Sequence, residues 1–335
     1  MLTRENLVNL VLAVLLLVVP LAAYASGQPF YVTLATRVAI LALAATGLNL
    51  ALGLGGLVSF GHAAFFGIGG YAAGILATHS FSGEPVLLGL PGTNQMLVIW
   101  LVAMLVAGIT GLLIGLISLR TSGVYFIMIT LAFAQLVYYV GGGLEAYGAD
   151  DGLNIGRSRF PGLLDLRDKA SFYWLCFALL CGTLWFCSRF ANSRFGLVIR
   201  GARSNDLRMT ALGFPVFRYR LAAFTLSGAF GGLAGILLAN EGAYISPAMM
   251  SWVKSGDLIV IVVLGGMGTL FGPLYGTIAF FVLEESLKPI LDLFHKGWGE
   301  YWQIVFGPML VLIALYAKGG IDSLLGSPKE WRRHG

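Results

Sequence analysis

The sequence predicts an all-α integral membrane protein of about ten membrane segments, some of them short, glycine-broken or re-entrant. Three observations carry this. The chain of 335 residues is 58% hydrophobic and only 11% charged, against the roughly 25% charge of ordinary soluble domains. Several apolar runs reach the roughly 20 residues that a helix needs to cross a bilayer. None of them has the short polar-apolar alternation of an outer-membrane strand, and helices satisfy their own backbone hydrogen bonds where water is absent.

Taken in order, the apolar runs place helices at about 7–24, 33–52, 62–78, 96–118, 122–140, 171–188, 219–239, 257–267, 271–287 and 301–317. The first sits behind Arg4 and ahead of Ala23-Tyr24-Ala25, the layout of a signal peptide with its cleavage site, and is read as a retained span. Cys176, Cys181 and Cys187 share the sixth run, where buried thiols behave as small hydrophobes. They form no metal or disulfide pattern. The mixed-charge stretch 141–170, with Asp150, Asp151, Asp165 and Asp168 beside Arg157, Arg159, Arg167 and Lys169, reads as an external loop, solvated or offered to another protein.

The net charge of +5 would suggest nucleic acid in a soluble protein. In a membrane protein, excess Lys and Arg marks cytoplasmic loops instead, and no nucleic-acid partner is expected. Arg4, Arg120, the segment 189–220 and the closing Lys329, Arg332 and Arg333 then lie inside, so both termini are cytoplasmic. Parity requires an even number of crossings after 220. The run 256–287 must therefore cross twice or re-enter, and "VVLGGMGTLFGPLYG" (262–276) supplies the break with Gly265, Gly266, Gly268, Gly272 and Pro273, because glycine and proline weaken or end helices.

The first half has a similar interruption, "LGLGGLVSFGHAAFFGIGGY" (52–71). Both interruptions contain Leu-Gly-Gly, a hydroxyl residue and Phe-Gly. Paired breaks in two halves are the sequence mark of a repeated transporter whose substrate passes the breaks. Gly265, Gly266 and Thr269 in one break, and Asn49, Ser59 and His62 at the other, are thus candidates to line a translocation path. Gln135, a polar residue in an apolar span, joins them. Close helix packing at the glycines and interhelical hydrogen bonds from the polar residues account for the same pattern. Ser59 and His62 do not indicate a hydrolase, since no third group orients the histidine and no oxyanion site is evident.

One segment departs from the oily background. Seven arginines (Arg189, Arg194, Arg200, Arg203, Arg208, Arg218 and Arg220) fall between 189 and 220 against a single acid, Asp206. Ser204 to Asp206 offers cap-type residues, so a helix is expected to start near Ser204, with Gly213 as its stop and Pro215 beyond. A preceding helix over 194–202 would place Arg200 and Arg203 on adjacent turns. The result is a compact basic helix-turn-helix, where an orientation-setting loop would need neither cap nor stop.

At this point the chain resembles a known family. The stretch "FGLVIRGARSNDLRMTALGFPVFRYRLAAF" is similar to the cytoplasmic coupling loop of ABC importer permeases, specifically the M-type membrane subunits of the branched-chain amino acid importers. The resemblance extends through "GLVSFGHAAFFGIGGYAAGIL" (56–76), "SGVYFIMITLAFAQL" (122–136), "GADDGLNIG" (148–156) and "VVLGGMGTLFGPLYG" (262–276). It implies one permease domain over 1–335 in a bacterial inner membrane, with 189–218 as the coupling loop. It also implies a homologous permease subunit, two cytoplasmic ATP-binding subunits and a periplasmic substrate-binding protein. Coupling would fall to Arg194, Gly196, Arg200, Arg203, Asp206, Ala211, Leu212 and Gly213.

The chain has no G-x-x-x-x-G-K-[ST] phosphate loop, so it is not itself the ATPase. ATP and Mg would be used by the partner subunits, and this chain is expected to bind neither cofactor nor metal. Related permeases resemble those for urea, short amides and aromatic acids, so these cargoes stay open beside hydrophobic and neutral amino acids. An ion-coupled secondary carrier is the alternative in another class. Arg37 and Asp257 are placed near outer helix ends as snorkelling or paired charges, and Glu284 and Glu285 are placed in water.

Overall fold

The computed structural model describes Val18, Leu21 and residues 27–83, 85, 91–160, 166, 168–316 and 319–321. The predicted first span at 7–24 and the basic residues Lys329, Arg332 and Arg333 lie outside these residues, apart from Val18 and Leu21. The described helices are α1 (Pro29–Asn49), continued by a π-helical turn (Leu50–Leu54), α2 (His62–Ser82), α3 (Met96–Ser118), α4 (Val124–Gly142), α5 (Lys169–Ala191), α6 (Arg194–Ser204), α7 (Asp206–Ala211), α8 (Val216–Gly242), α9 (Trp252–Gly265), α10 (Gly272–Phe294) and α11 (Trp302–Tyr316). The fold is all-α. By length and composition, five of the described helices can cross a membrane: Pro29–Leu54, α3, α4, α5 and α8.

Burial orders the bundle. The window of α1 is 89% buried and that of α8 67%, whereas α4 is 22% buried, so α1 and α8 form the axis and α3, α4 and α5 the outer ring. Small residues permit this. A Cβ at Gly235 on α8 would collide with Phe66 O on α2, so the two backbones meet without side chains between them, the packing small residues allow in lipid. The principal core joins α1, α8, α9 and α10 through Ile40, Leu43, Leu237, Ile261 and Phe280.

Helix boundaries differ from the apolar runs at three helices. α9 begins at Trp252, not 257, and so includes Lys254 and Asp257. α10 runs on to Phe294 through Glu284, Glu285 and Lys288. α1 starts early, with Pro29 in its first turn, where a missing N–H costs nothing. The loop after α4 is folded: Leu153–Asn154 pairs antiparallel with Tyr244–Ile245, and Ser158 N donates to Asn240 Oδ1 at 2.8 Å. Its backbone thus finds partners on the end of α8.

The chain returns to α9 without completing a helical crossing. After β-residues Tyr244–Ile245 and a 3-10 turn at Pro247–Met250, α9 is only 14 residues long, about 21 Å at 1.5 Å per residue. It then doubles back into α10. A Cβ at Gly265 would strike Gly272 O, and one at Gly276 would strike Ile261 O, so only glycine allows so close a hairpin. Gly320 closes against Gly265 and Gly266, which brings residues 319–321 to the same end as this turn.

Candidate functional site: a junction of two helix breaks and a basic lever

The two glycine breaks meet, and Asn49 joins them. Its Nδ2 donates to Thr269 O at 2.8 Å, and its Oδ1 accepts from Gly268 N at 2.9 Å. The amide thereby completes backbone that the α9–α10 turn leaves open, a need that lipid surroundings make acute. The breaks share a local design. In the first, Gly56 turns at φ +67°, Ser59 Oγ accepts from Gly61 N at 3.1 Å, and α2 follows. In the second, Gly266 turns at φ +128°, Thr269 Oγ1 accepts from Gly272 N at 3.1 Å, and α10 follows.

His62 opens α2 within the bundle. Its Nε2 lies 2.6 Å from Ser227 Oγ, which is itself 2.6 Å from Gly47 O. A hydroxyl has one proton, and Gly47 O can only accept, so His62 Nε2 is the donor toward Ser227. Phe65 and Phe224 pack edge-on to the imidazole at 5.5 and 5.7 Å. Ser255 Oγ of α9 accepts from Ala63 N at 2.9 Å, capping α2 from across the bundle. The Ser59 hydroxyl and His62 Nε2 therefore serve separate hydrogen bonds. Gln135, half-buried on α4, is joined to the junction by no hydrogen bond among the described residues.

The basic segment folds as α6 and α7. Ser193 caps α6 by accepting from Gly196 N at 3.3 Å, and Gly196, Val198, Ile199 and Ala202 form its buried face. Arg200 Nη2 donates to Ala191 O at 3.0 Å at the end of α5, a favourable place for a cation. Burial lowers the Arg200 guanidinium from its ordinary pKa. The expected cap near Ser204 moves by one residue: Ser204 ends α6, and Asn205 caps α7 by accepting from Arg208 N at 2.9 Å. Asn205 can adopt the extended backbone there (φ −157°) while Ser204 remains helical. Gly213, at φ +88°, follows as the left-handed stop.

Asp206 is held within the chain, 2.8 Å from Arg220 Nη1. Arg220 Nη2 also donates to Ala202 O at 3.3 Å, so one arginine of α8 ties α6 to α7. Arg194, Ala211 and Leu212 are exposed. α7 buries none of its residues, and Leu207 on it is 84% exposed.

Arg203, at the end of α6, reaches into the junction. Its Nη1 donates to Gly53 O on the π-helical turn. A Cβ at Gly56 would approach its Cγ to 3.0 Å, and one at Gly268 its Nη1 to 3.3 Å. One side chain thus hydrogen-bonds the first break and lies close beside Gly268 of the second.

Three ion pairs lie along α1, α8, α9 and α10. Arg37 lies 3.4 Å from Glu241, Lys254 3.4 Å from Asp257, and Lys288 2.7 Å from Glu284. One placement changes from those read off the sequence: Glu284 is half-buried, while Glu285 is exposed. Asp257 lies in the second turn of α9, paired with Lys254. Ser227, Ser255, Glu241 and Lys254 escaped the sequence reading. Their only sequence signal was polarity inside or beside an apolar run.

The family described as the permease component of branched-chain amino acid transport systems matches residues 30–314. Among curated proteins, the chain is similar to the high-affinity branched-chain amino acid transport system permease protein LivM of Escherichia coli (strain K12), at 28% identity over 91% of this chain and 74% of that one. It is similar to the probable branched-chain amino acid transport permease protein LivM of Methanocaldococcus jannaschii at 23% identity, covering 81% of each. It is also similar to the galactose/methyl galactoside import permease protein MglC of Salmonella typhimurium at 25% identity, covering 94% of each. No solved structure matches the chain significantly. The matched region contains both breaks and the basic helix pair with Arg203, and the chain belongs to the family of branched-chain amino acid ABC permeases.

Proposed function

We propose that this chain is one of two homologous permease subunits in an ATP-driven importer for branched-chain or other hydrophobic, neutral amino acids. It sits in a bacterial inner membrane with both termini cytoplasmic. Two cytoplasmic ATP-binding subunits, which use ATP and Mg, dock on residues 189–218, and a periplasmic binding protein delivers cargo near the loop 141–170. The observation that carries this reading is Arg203, which hydrogen-bonds Gly53 O and lies close beside Gly268. It gives a rigid route from an exposed basic element to both helix breaks.

The mechanism follows from the hydrogen bonds. The Arg220 contacts to Asp206 and Ala202 make α6 and α7 move together. Exposed Leu207 and Leu212 give the motor subunits an apolar grip. When ATP closes the motors, displacement of α6 carries Arg203 and thereby repacks the two breaks joined by Asn49. ATP can drive this only through a difference in docking between the two permease states.

The test is uptake by the complex reconstituted in proteoliposomes with Arg203→Ala. The motor subunits still co-purify, because α7 is untouched, and leucine uptake falls at least about tenfold, a loss of about 1.4 kcal/mol of coupling. Unchanged coupled uptake sinks the lever. The MglC relative, similar across 94% of this chain, is named for a sugar, so competition by urea, short amides and aromatic acids is measured beside leucine. Uptake that follows an ion gradient and ignores vanadate would point to the secondary carrier.

A further inference from the structure

A cavity of about 400 Å3 lies between α1, α8, α9 and α10, within the about 300–1,000 Å3 usual for small-molecule sites. We propose that it binds the zwitterion of a free α-amino acid with an aliphatic side chain, inside the permease itself. The inference rests on the amino acid importer reading above and gives that reading a place for its cargo.

Position comes first. Arg37 and Glu241 line the cavity near the end of α8, whereas Lys254 and Asp257 line it beside Ala63, the second residue of α2. Ser255, between the latter two, holds Ala63 N. The cavity therefore leads from the end of the bundle that carries the loop 144–159 to the start of α2, which follows the first break. A ligand there touches the helix pair whose turn Arg203 contacts.

Charge comes second. Each pair, Arg37 with Glu241 and Lys254 with Asp257, is separated by 3.4 Å, beyond the usual N–H···O range of 2.7–3.2 Å. Arg37 engages Glu241 through Nε, although a guanidinium carries five N–H donors in a fork suited to carboxylate. The remaining lining charge, Glu284, is closely held by Lys288 at 2.7 Å. The pairs are loose, balanced and partly open, with Arg37 and Lys254 each 53% exposed, and such pairs suit a ligand that brings one charge of each sign. Its carboxylate replaces a carboxylate before Arg37 or Lys254, its ammonium meets the carboxylate so released, and no charge is left unpaired. A singly charged ligand leaves one orphan, and a neutral amide has nothing to exchange.

The apolar wall comes third. Phe66, Leu238, Leu258, Ile261, Phe280 and Phe281 face the same space, and they offer an aliphatic side chain contact without hydrogen-bonding groups.

The experiment uses the reconstituted complex with a diazirine analogue of leucine as a photoreactive zwitterion and peptide mass spectrometry as readout. Crosslinks are expected on residues 37–41, 238–242, 254–261 and 280–284. L-leucine should suppress them at least tenfold more effectively than isoamylamine or 4-methylpentanoate, which each keep one of its charges. The double variant Arg37→Met with Glu241→Leu removes one pair without stranding a charge and should cut labelling at least tenfold, while motor co-purification and gel-filtration profile stay unchanged. Crosslinks elsewhere, equal competition by the singly charged analogues, or full labelling of the folded double variant would each overturn the site. A complex that imports leucine but labels elsewhere refutes this site alone. One that imports no amino acid refutes the importer reading with it.

Discussion

Asn49 supplies a donor and an acceptor to backbone that the α9–α10 turn leaves open at Gly268 and Thr269. Asn49→Leu keeps the volume roughly constant but strands both groups. It should lower stability by about 1–3 kcal/mol, read as the thermal unfolding midpoint in detergent, and uptake should fall with it. A midpoint unchanged from wild type would mean that the breaks do not depend on this amide. Asp168 supports the other end of the molecule as the cap of α5. Burial acts to raise its carboxyl, but hydrogen bonds from Ser171 N and Ser171 Oγ outweigh this and hold it below its ordinary value. A depressed folded pKa contributes stability above the unfolded value of about 3.9 and loses it as pH falls through the folded value. Asp168→Ala should thus cost about 1 kcal/mol at neutral pH. The gap from wild type should close on acidification below that window, and a constant gap would contradict the sign.

At the scale of elements, the hairpin of α9 and α10 depends on backbone contact. Gly265 faces Gly272 O, and Gly276 faces Ile261 O, with no room for a side chain. Gly265→Leu should force the helices apart, destabilise the chain by about 1–3 kcal/mol and abolish uptake. Normal uptake with an unshifted midpoint would show that the hairpin opens freely. The pair α6 and α7 has the opposite character. α6 buries Ile199 and Ala202, α7 buries nothing, and Arg220 of α8 binds both. The pair is thus held as one unit against the start of α8.

For the whole molecule, parity becomes a geometric statement. The turn between α9 and α10, the Arg203 end of α6 and Gly320 lie together, while the loop 144–159 is tied to the far end of α8 through Ser158 and Leu153. Single cysteines at Leu207 and Asp150 should therefore react on opposite sides. In a background with Cys181→Ala, which removes the exposed native thiol, an impermeant maleimide should label Asp150→Cys on intact cells. Leu207→Cys should react only after permeabilisation. The reverse pattern would invert the proposed orientation.

The sequence by itself determined the solvent, the helical class and the positions of both breaks, because hydrophobic run length and Gly-Gly interruptions are local and need no partner to be meaningful. It also marked α6 and Gly213, since caps and stops are written within a few residues. Only the tertiary structure showed that Asn49 bridges to Gly268 across 219 positions of chain, that Arg203 bonds Gly53 O beside Gly268, and that His62 Nε2 donates to Ser227. It also placed Asp257 and Lys254 together in the wall of a cavity between four helices. The physical reason is the same in each case. A polar group in an apolar run must find a complement, and the run does not say which helix will supply it.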